Sequence, residues 1–305
     1  MPFFARPLFT LTQLGVREDP AMTVFKRGLH LGSYGQVDDG AALFERVCAS
    51  VALAEQVGFD AISVPDHMHQ NGTGGGPTSP MFEAFSLLSA LAMRTSNVKL
   101  YALVSPVTLR NPAYLVKTVT TLDVISGGRA ILGLGAAWDA DEHAAYGFDF
   151  PGVSERMDRL DEALQISRTL MNYEGATFTG QHYSITDALN IPKPIHGSIP
   201  ILVGGGGEKR TLEIVAKYAD ACNVFGDAQI VAHKFAVLKE HCDRVGRDYS
   251  DITRTAFVSP TKDIAKFTAQ LEQLAEIGTQ GVVVLGMLEP EEMQEVGAAL
   301  LRVFP

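Results

Sequence analysis

Two histidines that follow a short apolar stretch could carry acid–base chemistry. A predicted strand over 61–64 ends at Pro65, and three polar side chains follow it: Asp66, His67 and His69. An imidazole with a reference pKa of about 6.5 can donate or accept a proton near neutrality. His67 is therefore the predicted proton donor or acceptor. His67 and His69 also match the start of a metal site in barrel hydrolases, which needs further ligands at other strand ends.

Four consecutive glycines, Gly204, Gly205, Gly206 and Gly207, indicate a loop that binds an anion. Such a run costs backbone entropy, so a ligand or a positive φ must require it. A predicted helix begins directly after it with Glu208, Lys209 and Arg210, and exposed N–H groups beside cations suit a phosphate. A plain flexible turn is the alternative, which the negative charge of Glu208 favours. Barrels often hold a phosphate on a late loop, so we expect phosphate binding by these glycines and Arg210.

A second glycine-containing stretch follows the predicted fourth strand. Gly135 ends a Gly-x-Gly motif that lets a flat ring approach the backbone at Ala136. Trp138 is the sole tryptophan, and it is either a core residue or a pocket wall. Glu142 lies four residues later, where it could line the mouth of a pocket or face solvent. We expect Trp138 and Glu142, together with Tyr34 after the first strand, to shape the substrate pocket.

Repeated strand-and-helix units must position these residues. From Val24 onward, short apolar runs alternate with longer amphipathic stretches. The predicted strands cover 24–31, 61–64, 98–104, 129–134, 199–203, 220–224, 252–258 and 281–285. Units of roughly 35 residues are typical of an α/β fold of the (β/α)₈ TIM-barrel type with insertions. A doubly wound open sheet shares the alternation, but eight units without a change of rhythm favour a closed barrel, with its site at the carboxyl ends of the strands.

Two segments do not follow this rhythm. Residues 1–23 match no repeating unit and are interpreted as an N-terminal extension, which leaves 24–305 as a single barrel domain. Residues 176–194 are rich in Thr, Tyr and Phe, and this pattern predicts a hairpin-like insertion between two units.

The composition restricts the classes of partner. The 305 residues carry 25 Lys and Arg against 35 Asp and Glu, a net charge of −10. This balance argues against nucleic acid and against an anionic membrane surface as partners. No apolar run reaches the roughly 20 residues of a membrane span, and the N-terminus lacks the pattern of a signal peptide. A small molecule is the expected partner.

Nucleophilic catalysis has no support in the sequence. A Gly-x-Ser-x-Gly motif is absent, and Cys48, Cys222 and Cys242 are far apart, none of them at a strand end beside a plausible base. Their odd number and wide spacing are typical of a reduced, cytoplasmic setting.

Four motifs in order resemble the luciferase-like (bacterial luciferase) superfamily of flavin and deazaflavin oxidoreductases. They lie at 64–67, 110–112, 121–138 and 200–223. The resemblance covers nearly all of the chain from Val24 and implies a luciferase-like (β/α)₈ barrel. Asp66-His67 is similar to members that use coenzyme F420, a deazaflavin, whereas FMN-dependent members often carry a Glu-His-His motif at this place.

The resemblance also implies how the cofactor binds. Its ring would lie over a bulge in the third strand, where the bond between Ala102 and Leu103 is expected to be a non-proline cis peptide, and its phosphate near the four glycines. Asp66 would orient His67 or touch the ring. The implied cofactor-binding residues are Asp66, His67, Ala102, Leu103, Gly135, Ala136, Trp138, Gly204–Gly207 and Arg210. The resemblance further implies a homodimer formed through the early helices.

The function that the resemblance implies is hydride transfer between F420 and a small organic substrate: a ketone or alcohol, an imine or an activated alkene. His67 and Asp66 would be the catalytic residues, and no metal is expected. Trp138 stands where the sugar-phosphate dehydrogenase branch carries an acidic residue, so the substrate of that branch is not carried over. The alternatives are an FMN-dependent luciferase-like monooxygenase, a metal-dependent hydrolase using His67 and His69, and a cofactor-binding protein without turnover.

Overall fold

Strands and helices alternate along residues 23–35 and 39–305, the part of the chain that the computed structural model describes. The strands are β1 (Arg27–His30), β2 (Ala61–Val64), β3 (Lys99–Ala102), β4 (Ser105–Pro106), β5 (Leu132–Gly135), β6 (Ala176–Thr179), β7 (Ser184–Ala188), β8 (Ile201–Gly204), β9 (Ala221–Val224), β10 (Thr253–Val258) and β11 (Gly281–Leu285). The helices are α1 (Gly40–Gln56), α2 (Ala84–Ala92), α3 (Pro112–Ser126), α4 (Ala140–Tyr146), α5 (Val153–Asn172), α6 (Thr211–Tyr218), α7 (Ala228–Val245), α8 (Ile264–Glu276) and α9 (Pro290–Val303).

The parallel strands close into a barrel. Their order is β3-β2-β1-β11-β10-β9-β8-β5-β4, and each pair of neighbours is parallel. A bridge between Leu100 and Ala130 joins β3 to the segment that enters β5. Because β3 and β4 are two pieces of one barrel strand, the sheet has the eight positions that the sequence predicts. The (β/α)₈ fold is confirmed, and the open sheet is not.

The third barrel strand is interrupted by a non-proline cis peptide between Leu103 and Val104. The expected position, Ala102-Leu103, is wrong by one residue. Ala102 still pairs with Val64 in the ladder of β2 and β3, so the interruption begins only after it. Gly133 makes room for the bend, since a Cβ there would lie 2.0 Å from the Ala102 carbonyl oxygen.

An apolar plug fills the lower part of the barrel. Inward-facing residues from successive strands form it, and the ring of Phe25 lies 5.5 Å from that of Tyr101. Leu103, Val104 and Phe257 pack on this plug from above and are only partly buried. A larger apolar cluster lies between the barrel and its helices. Two cavities of the described residues lie above this plug, towards the carboxyl ends of the strands, where enzymes of this fold have their sites.

Local sequence signals define most helix ends. Asn111 caps α3 by accepting hydrogen bonds from the N–H groups of Ala113 and Tyr114, Pro112 occupies the first turn, and Gly127 ends the helix at φ 70°. The helix after the four glycines begins at Thr211, later than the predicted start at Glu208. No side chain caps it, since Arg210 precedes it without a capping hydrogen bond.

The predicted insertion is an antiparallel hairpin of β6 and β7. Glu162 of α5 holds its tip by accepting hydrogen bonds from the backbone N–H groups of Gln181, His182 and Tyr183. The Tyr183 hydroxyl donates to the Val107 carbonyl, 2.9 Å away, and ties the hairpin to the barrel.

The predicted N-terminal extension lies, except for Thr23, outside the described residues, so the division at residue 23 stays a prediction. Among the helices of the described residues, none combines the length and apolarity that crossing a bilayer requires.

Candidate active site

Two adjoining cavities open at the carboxyl ends of the strands. The first, called here the glycine cavity, has a volume of about 550 Å³ and is lined by Gly135, Ala136, Arg156, Gly204–Gly207, Thr211 and Asn223, among others. The second, called the His30 cavity, has about 660 Å³ and is lined by His30, Gln70, Asp227, Ser259, Gln270 and Leu285, among others. Both volumes lie in the range of small-molecule sites. The side chains that border both cavities are His67, Leu103, Trp138, Phe225 and Phe257.

His67 lies on the boundary between the two cavities, and its ring is held from two sides. Its Nδ1 lies 2.9 Å from Oε2 of Glu142, and its ring meets Trp138 edge-on at 5.6 Å. A carboxylate only accepts hydrogen bonds, so Nδ1 carries a hydrogen that it donates. The other ring nitrogen, Nε2, is then the atom through which His67 can give or take a proton.

Glu142 is the orienting partner of His67. Its side chain is 1 % exposed, and its Oε1 accepts a hydrogen bond from the N–H of Met68 at 2.5 Å. Asp139 caps α4 by accepting from the N–H of Glu142, which fixes the turn that carries the carboxylate. The sequence left this residue between a pocket wall and a solvated carboxylate. The structure buries it against the backbone and the imidazole of the loop after β2, on the wall of the glycine cavity and not of the His30 cavity.

The charge distribution raises the pKa of His67. Desolvation by burial acts to lower it, but the hydrogen bond and charge of Glu142, with the charges of Asp139 and Asp66, outweigh that effect. Burial conversely acts to raise the pKa of Glu142, and the hydrogen bonds from His67 and the Met68 N–H lower it overall. These opposite shifts favour the carboxylate–imidazolium form of the pair. His67 keeps its proton to higher pH than a free imidazole does.

Asp66 does not orient His67, in contrast to the expectation. Its two oxygens accept hydrogen bonds from Nε and Nη2 of Arg110, both at 2.7 Å, and its side chain is 4 % exposed. The same guanidinium contacts Glu83, the N-cap of α2, at 2.6 Å. Asp66 borders neither cavity. The contacts explain the difference, because the guanidinium of Arg110 holds Asp66, whereas the ring of His67 borders both cavities.

Arg210 also lies away from the cavities, and another arginine takes the expected place. Arg210 pairs with Asp158 at the surface, 2.7 Å apart. Arg156 of α5 borders the glycine cavity, with Nε donating to the Ala136 carbonyl at 3.0 Å and the guanidinium 4.0 Å from the centre of the Phe150 ring. Only the tertiary packing, which places the first turn of α5 at the same cavity as the four glycines, brings this cation near them, so sequence spacing could not find it.

The packing decides the position of four further expected site residues. Trp138 is 63 % exposed and forms a wall of both cavities, so the interpretation as a core residue is excluded. Tyr34 is 1 % exposed and packs edge-on against Phe82, so its place in the substrate pocket is wrong. Leu103 borders both cavities, whereas Ala102, still in the ladder of β3, borders neither.

His69 makes local contacts of its own and does not share the partners of His67. Its Nδ1 lies 3.0 Å from the carbonyl oxygen of Gln70, and its ring lies 5.8 Å from that of Tyr146. Within the described residues, the group near His67 that could supply metal ligands consists of Asp139 and Glu142. The paired histidine ligands that the hydrolase alternative requires are therefore not brought together.

Comparison with known proteins assigns nearly the whole barrel to one protein family. The family model described as luciferase-like monooxygenase matches residues 23–295. The chain belongs to this family. Among solved structures, an F420-dependent secondary alcohol dehydrogenase in complex with an F420–acetone adduct superposes with a TM-score of 0.78 at 17 % identity, over 92 % of this chain and 99 % of that one. The F420-dependent tetrahydromethanopterin reductase of Methanopyrus kandleri gives 0.75 at 17 % identity, over 92 % and 99 % of the two chains.

Curated relatives of this luciferase-like protein include sugar-phosphate enzymes. An F420-dependent glucose-6-phosphate dehydrogenase of Amycolatopsis mediterranei is 29 % identical over 218 residues, 69 % of this chain and 63 % of the relative. The enzyme of that name from Kineococcus radiotolerans is 32 % identical over 215 residues, 66 % of this chain and 59 % of the relative. These matches thus span less than two thirds of either relative's length.

Proposed function

We propose that this luciferase-like protein is an F420-dependent oxidoreductase that transfers a hydride between the coenzyme and a small organic substrate. The observation that carries the proposal is His67, held by a buried carboxylate on the wall that a glycine-lined cavity shares with a second cavity. One cavity can take the coenzyme and the other the substrate, with the proton donor between them. The relatives named as F420-dependent dehydrogenases support the choice of coenzyme.

The glycine cavity has the chemistry that a deazaflavin needs. Asn223 on its wall is fully buried and gives its amide N–H to Thr255, 2.9 Å away. The Thr255 hydroxyl donates to the Cys222 carbonyl, so it can only accept from Asn223, which fixes the amide's orientation. The Asn223 oxygen then has no hydrogen-bond partner among the described residues. A ring N–H or a hydroxyl group of the coenzyme would satisfy it.

The remaining walls fit the other parts of the coenzyme. Leu103 and Val104 offer an apolar surface for a flat ring, and Gly135 lets the backbone lie against Val104, since a Cβ there would stand 2.5 Å from its Cγ2. Gly205 has φ +113°, which L residues rarely adopt. Arg156 supplies a cation on the same cavity wall as this loop. We assign the phosphate and its acidic tail to this end of the cavity.

Residues of this chain would donate or accept the proton that accompanies hydride transfer. When bound, the reduced coenzyme supplies a hydride, two electrons with one hydrogen, to the electrophilic carbon of the substrate. In carbonyl reduction the electron pair of the C=O π bond moves to oxygen, and Nε2 of His67 gives that oxygen a proton, which yields an alcohol. Glu142 keeps the ring in place and stabilises the imidazolium before transfer. In the opposite direction neutral His67 accepts the hydroxyl proton.

The pH dependence of carbonyl reduction is expected to depend on Glu142. Reduction requires protonated His67, so kcat/KM should fall as the pH rises through the His67 pKa. In Glu142→Gln the charge that raises this pKa is lost, and the alkaline limb should move to lower pH. A pH profile of kcat/KM for both proteins tests this. If the alkaline limb of the Glu142→Gln profile kept its position and kcat/KM fell equally at every pH, Glu142 would not act through the pKa of His67.

Arg156 and Arg210 form a matched pair for testing where the anionic tail binds. A hydrogen bond to a charged group is worth about 1.5–3 kcal/mol, so Arg156→Gln should weaken F420 binding about 10- to 100-fold. Arg210→Gln should leave the Kd within about 2-fold, because its guanidinium pairs with Asp158 outside the cavity. The fluorescence of Trp138, the sole tryptophan, reports binding directly. Equal losses in the two variants would refute the assignment to Arg156.

The choice of coenzyme is tested with the purified protein. Titration with reduced F420 and with FMN should give a saturable response to F420 alone. Saturation by FMN, with no response to F420, would make the FMN-dependent monooxygenase the better proposal. A stoichiometric divalent metal on elemental analysis would favour the hydrolase, and tight F420 binding without oxidation by any acceptor would favour a carrier. The homodimer stays a prediction that light scattering can test.

A further inference from the structure

We infer that the His30 cavity is the substrate chamber and that it takes an uncharged carbonyl or alcohol compound with an apolar body, and not a phosphorylated or carboxylated one. The inference rests on the proposed function, which places the coenzyme in the neighbouring glycine cavity. It sets this protein apart from the relatives named as glucose-6-phosphate dehydrogenases, whose substrate carries a phosphate.

The described walls of the His30 cavity offer little that binds an anion. The described residues that line it include no Lys and no Arg. Its acidic residue is Asp227, whose carboxylate caps α7 by accepting from the N–H of Ile230 at 2.9 Å. Among the described lining residues the one cationic group is the imidazolium of His67, whose charge the buried Glu142 carboxylate already balances. A phosphate or carboxylate taken from water into this chamber would therefore meet the charge of Asp227 and no unpaired cation, which opposes its binding.

His30 does not supply the missing positive charge. It is 6 % exposed, and burial together with the nearby charge of His67 lowers its pKa to about 3. Its Nδ1 lies 3.0 Å from the Ser63 hydroxyl, which donates to the Leu29 carbonyl at 3.4 Å and therefore accepts from Nδ1–H. The neutral ring then has Nε2 as an acceptor on the cavity side. It suits a hydroxyl or amide N–H of the substrate and not an anionic oxygen.

The remaining surface suits an apolar body with a few neutral polar groups. Trp138, Phe225 and Phe257 line one side, with the last two rings stacked 4.8 Å apart, and Leu285 lines another. Gln270 of α8 and Ser259 add uncharged hydrogen-bonding groups. His67 borders the chamber from the coenzyme side, so a substrate carbonyl placed there can receive its proton.

A matched pair of ketones tests the inference on the F420-loaded protein. Methyl 4-oxocyclohexanecarboxylate and its free acid have the same ring and ketone and differ by one negative charge. We expect reduction of the ester with a kcat/KM at least about 10-fold above that of the acid, and no saturable response to glucose 6-phosphate. Binding is followed separately through Trp138 fluorescence. A preference for the acid or the sugar phosphate, or no response to any of the three compounds, would overturn the inference.

A single charge should change this selectivity. In Gln270→Lys an ammonium group enters the chamber, and the ratio of ester to acid kcat/KM should fall at least about 5-fold through better binding of the acid. Gln273→Lys adds the same charge on the exposed side of the same helix and should leave the ratio unchanged. Equal effects of the two lysines would show that the chamber is not where the acid binds. If the native protein did not bind F420 at all, the proposed function itself would be refuted.

Discussion

Replacement of His67 by glutamine is expected to reduce kcat for the F420-dependent reaction by about 10²- to 10⁴-fold, the usual contribution of a positioned general acid. Glutamine keeps a polar side chain beside Glu142 but cannot deliver a proton at Nε2. F420 binding should change far less, because Gly204–Gly207 and Arg156 lie elsewhere on the wall of the glycine cavity. The measurement is steady-state kinetics with saturating coenzyme, together with the Kd from Trp138 fluorescence.

His69 offers a matched control for this variant. It lies two residues along the same loop, borders neither cavity and makes its hydrogen bond to the Gln70 carbonyl. His69→Gln should therefore keep kcat within about 2-fold, as expected for a side chain outside the reacting centre. Comparable losses in the two variants would indicate that the loop as a whole, and not the imidazole of His67, is responsible. A His67→Gln enzyme with near-native kcat would remove the proton-donor role altogether.

Replacement of Asp220 by alanine is expected to lower the free energy of unfolding by about 3–5 kcal/mol, the range for removing one partner of a buried ion pair. Asp220 is 1 % exposed, and its Oδ2 accepts from Arg168 at 2.8 Å and from the N–H of Ile201 at 2.7 Å. Burial lowers the pKa of Arg247, and the charge of Asp220 opposes that shift. Without Asp220, the buried guanidinium of Arg168 would lose its ion-pair partner, and the buried Arg247 would lose a charge that stabilises its protonated form.

Urea denaturation measures this effect, provided that the variant and the native protein give the same m-value. Asp243→Asn is the control, since Asp243 is 63 % exposed and its ion pair among the described residues is with Lys239 on the surface of α7. Its expected change is within about 0.5 kcal/mol. Asp220→Asn keeps an acceptor for the Ile201 N–H and should lose less than Asp220→Ala, so it serves if the alanine variant does not fold. A loss below about 1 kcal/mol in both variants would mean that water or a rearrangement replaces the carboxylate.

Local patterns predicted the fold well because each strand and helix leaves a signal in its own residues. The alternation from Val24 onward gave every barrel strand, and β2 and β11 begin and end at the predicted residues. The third strand is the exception, since its division into β3 and β4 depends on the approach of Gly133, a residue about thirty positions later. Such a close approach leaves no periodic signal at either position.

The candidate site was predicted where a residue is placed by its own strand and missed where its partner comes from another element. His67, Trp138 and the four glycines each follow a strand directly, and the barrel topology brings the ends of all strands to one mouth. The family resemblance implied that Asp66 would orient His67 or touch the cofactor ring. The structure pairs it with Arg110 instead, across 44 positions of the chain.

The amino-acid sequence by itself determined the alternating elements, the family and the imidazole that borders both cavities, because each depends on residues that are close together along the chain. Only the tertiary structure decided that Glu142 orients His67, that Arg156 and not Arg210 borders the glycine cavity, and that the described lining of the His30 cavity includes no Lys or Arg. These features depend on which side chains, from elements far apart along the chain, come close together in the fold. Hydrogen bonds and short-range electrostatic interactions act over a few ångströms, so this proximity decides the chemistry of the site.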